Sequence, residues 1–167
     1  KRSDAIRGQR GVTDQKPSYT TAIVWLRRDL RLADHAALFT AARRSGRVVC
    51  AFVLDPTLLR GPRVGAPIVE FFFTSLRVLR ERLRALGSDL ALLEGDFAQE
   101  LMGLAERVRA QAVFYNVDYD PDMVARDARV VAALRERKLD VHGFVDHVYV
   151  AADAVLQKNG APYTVYT

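Results

Sequence analysis

Two short stretches of this 167-residue chain concentrate side chains that could do chemistry. The first reads Trp25-Leu26-Arg27-Arg28-Asp29-Leu30-Arg31-Leu32-Ala33-Asp34. Its guanidinium groups can hydrogen-bond an anion or stack on a planar ring. The second reads Asn116-Val117-Asp118-Tyr119-Asp120 and offers carboxylate acceptors and an amide. Together they describe polar contacts for a flat heterocycle bearing N–H or O–H groups. A plainer arrangement is open at the same residues. Arg28, Asp29, Arg31 and Asp34 can pair with one another and cap the helix that follows, and Asp120 can cap a helix beginning at Pro121.

Other chemistries are set aside by their missing motifs. The phosphate-cradling GxGxxG and GxxxxGK[ST] loops are absent, and Gly61-Pro62-Arg63-Val64-Gly65 does not join a strand directly to a helix. There is no GxSxG elbow, and no residue is assigned a catalytic role. His35, His142 and His147 are scattered, with no HExxH or CxxC spacing, so no metal is expected. The single cysteine, Cys50, lies within the apolar run Val48–Val53 and reads as a small buried hydrophobe in a reducing compartment. No apolar run approaches the ~18 residues of a membrane span. The N-terminus is polar and basic, without a hydrophobic signal region, so a cytoplasmic protein is expected. The net charge of +5 is uneven: residues 1–19 carry five Lys or Arg against Asp4 and Asp14, and the remaining body is only slightly basic. Such a tail can touch nucleic acid or be a solvated extension.

The elements that must position the two stretches alternate clearly. Apolar runs at 22–27, 47–54, 89–93, 111–115 and 139–145 read as strands. Between them lie four helical patterns. The first is capped by Asp34, starts at His35 and stops at Gly46. The second carries Val69, Phe72, Phe73, Leu76, Leu79, Leu83 and Leu86 on its apolar stripe, with Phe71–Phe73 expected in the core. The third is capped by Asp96 with Gln99 and presents Phe97, Leu101, Leu104 and Val108 inward. The fourth begins at Pro121 and presents Val124, Ala128, Val131 and Leu134. Continuous rather than alternating apolar strands require cover on both faces. The expected architecture is α/β: a five-stranded, parallel, doubly wound Rossmann-like sheet of order 3-2-1-4-5 with helices on both faces. In that order the winding reverses between the first and fourth strands, and ligands of open parallel sheets bind outside the carboxyl ends at that point. The rule selects Arg27–Asp34 and Asn116–Asp120, with Phe52–Pro56 beside them.

Four segments then carry a resemblance. Val24-Trp25-Leu26-Arg27-Arg28-Asp29-Leu30-Arg31-Leu32-Ala33-Asp34-His35-Ala36-Ala37-Leu38 resembles the opening of the DNA photolyase/cryptochrome family. Phe52-Val53-Leu54-Asp55-Pro56, Tyr115–Pro121 with Arg126-Asp127, and Gly160–Thr167 agree in order and spacing. The resemblance covers about residues 21–167. It implies an N-terminal α/β antenna domain at 21–145, preceded by a flexible basic extension (1–20) and followed by the start of an interdomain connector (146–167). The family's helical domain, which holds FAD, electron-transfer tryptophans and the DNA-lesion pocket, is expected to be absent. The fragment alone is then expected to be inactive in the light-driven repair of pyrimidine dimers. Its implied partners are its own helical FAD domain and, through that domain, damaged DNA, with no membrane and no metal.

The resemblance also implies a second, light-harvesting chromophore in the α/β domain. In the family's deazaflavin-binding pattern, contacts fall at positions matching Arg28, Phe52, Asp55, Asp118 and Asp120, the last usually glutamate. Arg28, Asp118 and Asp120 would orient the ring, Phe52 would pack on it, and Trp25 would support the floor. An arginine of that pattern falls at Ile68 here. In the folate pattern an Asn-Glu pair aligns with Asp122 and Met123, and Met123 lacks the glutamate acceptor. A deazaflavin or flavin-type antenna is therefore expected ahead of folate, with an empty site also open. Two rival readings stand beside it: a chromophore-free docking domain of cryptochrome type, and an adenine-nucleotide-binding α/β domain, which would want a glycine-rich phosphate loop.

Overall fold

The computed structural model describes residues 17–55 and 65–148. The segments 1–16, 56–64 and 149–167 lie outside them, and with them most of the expected extension, the glycine loop at 61–65 and the Gly160–Thr167 segment. Strand β1 (Tyr19–Leu26) buries seven of its eight residues, as a strand covered on both sides must. Helix α1 (Ala36–Arg44) runs into β2 (Ser45–Leu54) without a loop. There follow α2 (Ala66–Ala85), β3 (Leu90–Glu94), α3 (Phe97–Val108), β4 (Ala112–Asn116), α4 (Pro121–Glu136) and β5 (Asp140–Phe144). All strand pairs are parallel and the order is β3-β2-β1-β4-β5, the expected topology. Among the described residues no helix is long and apolar enough to cross a membrane.

Strand alternation divides the core into two layers. Val24, Leu26, Phe52 and Phe114 face α1 and α2, meeting Ala37, Ala41, Leu76, Leu79 and Leu83. Ile23, Trp25, Ala51, Val53 and Val113 face α3 and α4, meeting Phe97, Leu101, Leu104, Val130 and Leu134. Cys50 is buried, and burial pushes its thiol up to about 11.

Several local expectations are corrected. The cap of α1 is His35, whose ring accepts from Leu38 N–H, while Asp34 takes a left-handed φ of 50°. Gly46 does not stop α1 but lies inside β2, where a Cβ would come within 3.3 Å of the Thr20 carbonyl oxygen. Of Phe71–Phe73, only Phe72 packs inward, against Phe52; Phe71 is 75% and Phe73 44% exposed. Successive helical residues turn by 100°, so three in a row cannot share one face. Leu86, beyond the helix end, is exposed as well. On α4 the buried residues are Asp127, Val130 and Leu134, whereas Val124 and Ala128 face outward. The helix is rotated from the apolar reading because it turns the charged Asp127 to the sheet.

Candidate functional site

The carboxyl ends of β1 and β4 meet at the reversal of winding, and the polar side chains there form three tiers. The innermost lies on the α3/α4 side. Arg27 is buried with its guanidinium 4.9 Å from the Trp25 ring centre and 5.1 Å from that of Tyr115. It donates to Asp127, whose other oxygen accepts from Arg126 Nε and Nη2 at 3.0 and 2.7 Å. Arg126 lies over Phe97 at 4.5 Å, and burial, reinforced by the neighbouring Arg27 charge, lowers its pKa to about 10. Trp25 Nε1 and Arg27 Nε are buried without a hydrogen-bond partner among the described residues. Tyr115 reaches this tier by lying over Gly143 of β5, where a Cβ would come within 3.0 Å of its ring.

The middle tier anchors α1. Asp29 accepts from Arg27 N–H at 2.8 Å, from Asn116 Nδ2 at 2.7 Å and from His35 Nε2 at 2.9 Å. Burial alone would raise the Asp29 pKa, but these hydrogen bonds hold it down at about 2. The first N–H groups of a helix lack intrahelical partners. Here three side chains supply them: Asp146 Oδ1 to Ala36 at 3.0 Å, Asn116 Oδ1 to Ala37 at 3.0 Å, and His35 Nδ1 to Leu38 at 3.1 Å. Asn116 also donates to Asp146 at 2.9 Å, and Arg31 pairs with Asp146. Within their own stretch the Asp29 side chain meets the Arg27 N–H and Arg31 Nε the Asp34 carbonyl; their side-chain partners are His35, Asn116 and Asp146, outside it.

The outer tier faces solvent. The Arg28 side chain, 62% exposed, lies 3.7 Å from Asp118 and 3.9 Å from Asp120. Asp118 is fixed by accepting the N–H groups of Tyr119 and Asp120 at 2.8 and 3.1 Å. Burial raises its pKa, but those N–H groups and Arg28 outweigh it, so the net direction is down and the group is ionised. Asp120 caps α4 through Asp122 N–H at 3.1 Å. A cleft of about 380 Å³ opens beside this tier, lined by Tyr115, Val117, Asp118, Val124 and Asp127 among others. A larger depression, about 870 Å³, lies at the opposite, amino end of the strands.

Of the residues picked from sequence, Arg28, Asp118 and Asp120 come together. Phe52 is in register with Leu26, just below Arg28, but its ring lies in the core against Phe72. Asp55 follows β2 and its charge is felt by Arg126. Ile68 is exposed on α2, and Met123 accepts from Arg126 Nη1 through sulfur at 3.1 Å. The sequence reading missed the roles of Asp127, Arg126, His35 and Asp146. Asp127 carried a signal: it completes the helical stripe of Met123, Val130 and Leu134.

The family model for DNA photolyase matches residues 22–167. A deoxyribodipyrimidine photo-lyase of Synechococcus sp. is 34% identical over 86% of this chain and 30% of its own length. A bacterial class III photolyase from Agrobacterium tumefaciens superposes with a TM-score of 0.80 at 29% identity, over 94% of this chain and 32% of that one. An archaeal photolyase from Sulfolobus tokodaii, described with two FAD molecules and a novel light-harvesting cofactor, superposes at 0.71 with 26% identity, over 82% and 32%. The chain spans 53% of the length of one curated relative and 30% of the photolyases. With the family model covering residues 22–167 and the α/β architecture superposing on a photolyase at a TM-score of 0.80, the chain belongs to the DNA photolyase family, whose N-terminal α/β domain it forms.

Proposed function

We propose that this domain holds a light-harvesting chromophore of deazaflavin or flavin type and serves as the antenna module of a larger protein that repairs pyrimidine dimers in DNA with FAD bound in a separate helical domain. One observation carries the reading. At the reversal of winding, a solvent-facing guanidinium, Arg28, sits between two carboxylates held rigid by backbone N–H groups. That set offers donors and acceptors side by side to a flat heterocycle with carbonyl and N–H groups. The archaeal relative described with two FAD molecules supports a flavin-type ligand. The residues fit the group: Arg28 would donate to a ring carbonyl or phosphate, Asp118 and Asp120 would accept from ring N–H or ribityl O–H groups, Phe52 would close the apolar floor and Asp55 the rim. The chromophore, when bound, supplies absorption of near-ultraviolet and blue light. The chain's own part is to fix distance and orientation.

A second reading, a chromophore-free docking domain, is favoured by one observation. Ile68, Phe71 and Phe73 stand exposed along the first half of α2.

Absorption spectroscopy of the purified chain after addition of a deazaflavin, FMN, FAD or a folate separates the two. The antenna reading expects a stoichiometric band that survives gel filtration. Loss of one charged hydrogen bond, in Asp118→Ala or Arg28→Ala, should weaken binding about tenfold or more with the circular dichroism unchanged. No retained band with any of the four ligands would favour docking.

A further inference from the structure

We propose that the face opposite the candidate antenna site, at the amino ends of the strands, binds the phosphate backbone of double-stranded DNA. In a parallel α/β sheet every helix ends where the next strand begins, so the helix C-termini share this face. Arg47 opens β2, Arg107 and Arg109 close α3, and Arg135, Arg137 and Lys138 close α4; all six are exposed. The carboxylates nearby are Glu106, Glu136 and Asp140. Among the described residues, Arg137 alone of the six is salt-bridged, to Glu106 at 3.1 Å. Arg47, Arg109 and Arg137 are linked across this face. Arg47 donates to the Val108 carbonyl at 2.8 Å, which holds it beside Arg109. Arg109 lines both the depression of about 870 Å³ and a neighbouring one that Arg137 shares. Ser18, Thr20 and Gln111 line the same depression. Cations interleaved with neutral hydrogen-bonding side chains are the composition that contacts phosphate and sugar.

Favourable contact with helix dipoles accounts for cations in a last turn. It does not account for two of these. Arg109 (φ 53°, ψ 46°) and Lys138 (φ 61°) occupy the left-handed conformation that only glycine adopts without cost. At the corresponding place after α2 the chain does use glycine, Gly87, at φ 77°. Two strained positions on one face thus carry a cation where glycine would serve the fold. Of the exposed large apolar residues, Leu86 at the end of α2 lies on this face, and one leucine is too little to insert it into a lipid surface. The choice of DNA among polyanions rests on the proposed role in DNA repair. The test below needs no chromophore, so failure of either reading shows separately.

The test is fluorescence anisotropy of a labelled duplex of about 20 base pairs with the full chain, over a series of salt concentrations. Arg109→Gly and Lys138→Gly should each reduce the log–log salt slope by about 0.9 and weaken binding about eightfold at 0.1 M salt. Both should leave the melting midpoint unchanged or higher, which a purely structural role would not allow. Arg77→Gln on α2, an equal loss of charge elsewhere, should leave the slope unchanged. Slopes unmoved by the two glycine variants would place any binding elsewhere on the chain and overturn the proposal. An equal effect of Arg77→Gln, or stronger capture by anionic lipid vesicles with the same variant sensitivity, would overturn it too.

Discussion

Replacing Asp127 by alanine should be the most damaging single change at this site. The Asp127 side chain is 8% exposed and serves two guanidiniums, Arg27 at 6% and Arg126 at 13%. Its removal strands Arg27 in a pocket walled by Trp25 and Tyr115, where Nε already lacks a partner. Breaking a buried pair from one side costs about 3–5 kcal/mol, because a charge is left uncompensated away from water. Against a domain stability of about 5–15 kcal/mol, that is about a fifth or more of the total. With a urea dependence of about 2 kcal/mol per molar, the midpoint should fall by about 1.5–2.5 M. The double variant Arg27→Met with Asp127→Leu removes both charges and fills similar volume, so it should recover most of the loss, leaving the share owed to Arg126. Urea titrations followed by circular dichroism on the parent chain, Arg27→Met, Asp127→Leu and the double variant complete a double-mutant cycle. A cost below about 1 kcal/mol for Asp127→Ala, or no recovery in the double variant, would refute the assignment of a buried, mutually dependent pair.

Two further outcomes follow from the same tiers. Asp29 is held at about 2, below its ordinary value of 3.8, so it takes up its proton at lower pH in the folded chain than in the unfolded one. Its contribution of about 2 kcal/mol is present above pH ~4 and lost as pH falls toward ~2; acid titration of the unfolding free energy should show this slope, and Asp29→Asn should flatten it. Gly143→Ala places a methyl group against the Tyr115 ring and 3.1 Å from Val117, and should cost about 1–3 kcal/mol by overpacking, read as a lower urea midpoint.

The sheet order was legible because the five strands are apolar runs of the right length with helical stripes between them, and handedness leaves few ways to connect them. The place where the polar tiers gather, at the carboxyl ends of β1 and β4, followed from that order. The errors have one physical theme. Periodicity reads apolar side chains, and the inner face of α4 is led by a carboxylate, Asp127, whose burial depends on an arginine 100 residues earlier. In the same way Asp34 looked like the cap of α1, yet His35 does that work, its other ring nitrogen fixed by Asp29. Asp146, one residue past the expected span of 21–145, is bonded to α1 and β4, a tie that no local pattern announces. The outer tier was readable because Arg28, Asp118 and Asp120 all follow directly on strand ends, where the rule for parallel sheets applies.

The start of α1 has a consequence for the order in which the chain can complete itself. Its first amides are held by Asp146 and Asn116, the latter 79 residues later, and Asn116 reaches Asp29 across 87 residues. Contacts that close loops of this length form only after the loop entropy has been overcome. A nascent chain that has emerged only as far as α3 holds all the residues of α1 but none of these distant acceptors. The first helix in the sequence is therefore finished late, in two steps: Asn116 comes with β4 and Asp146 only after β5.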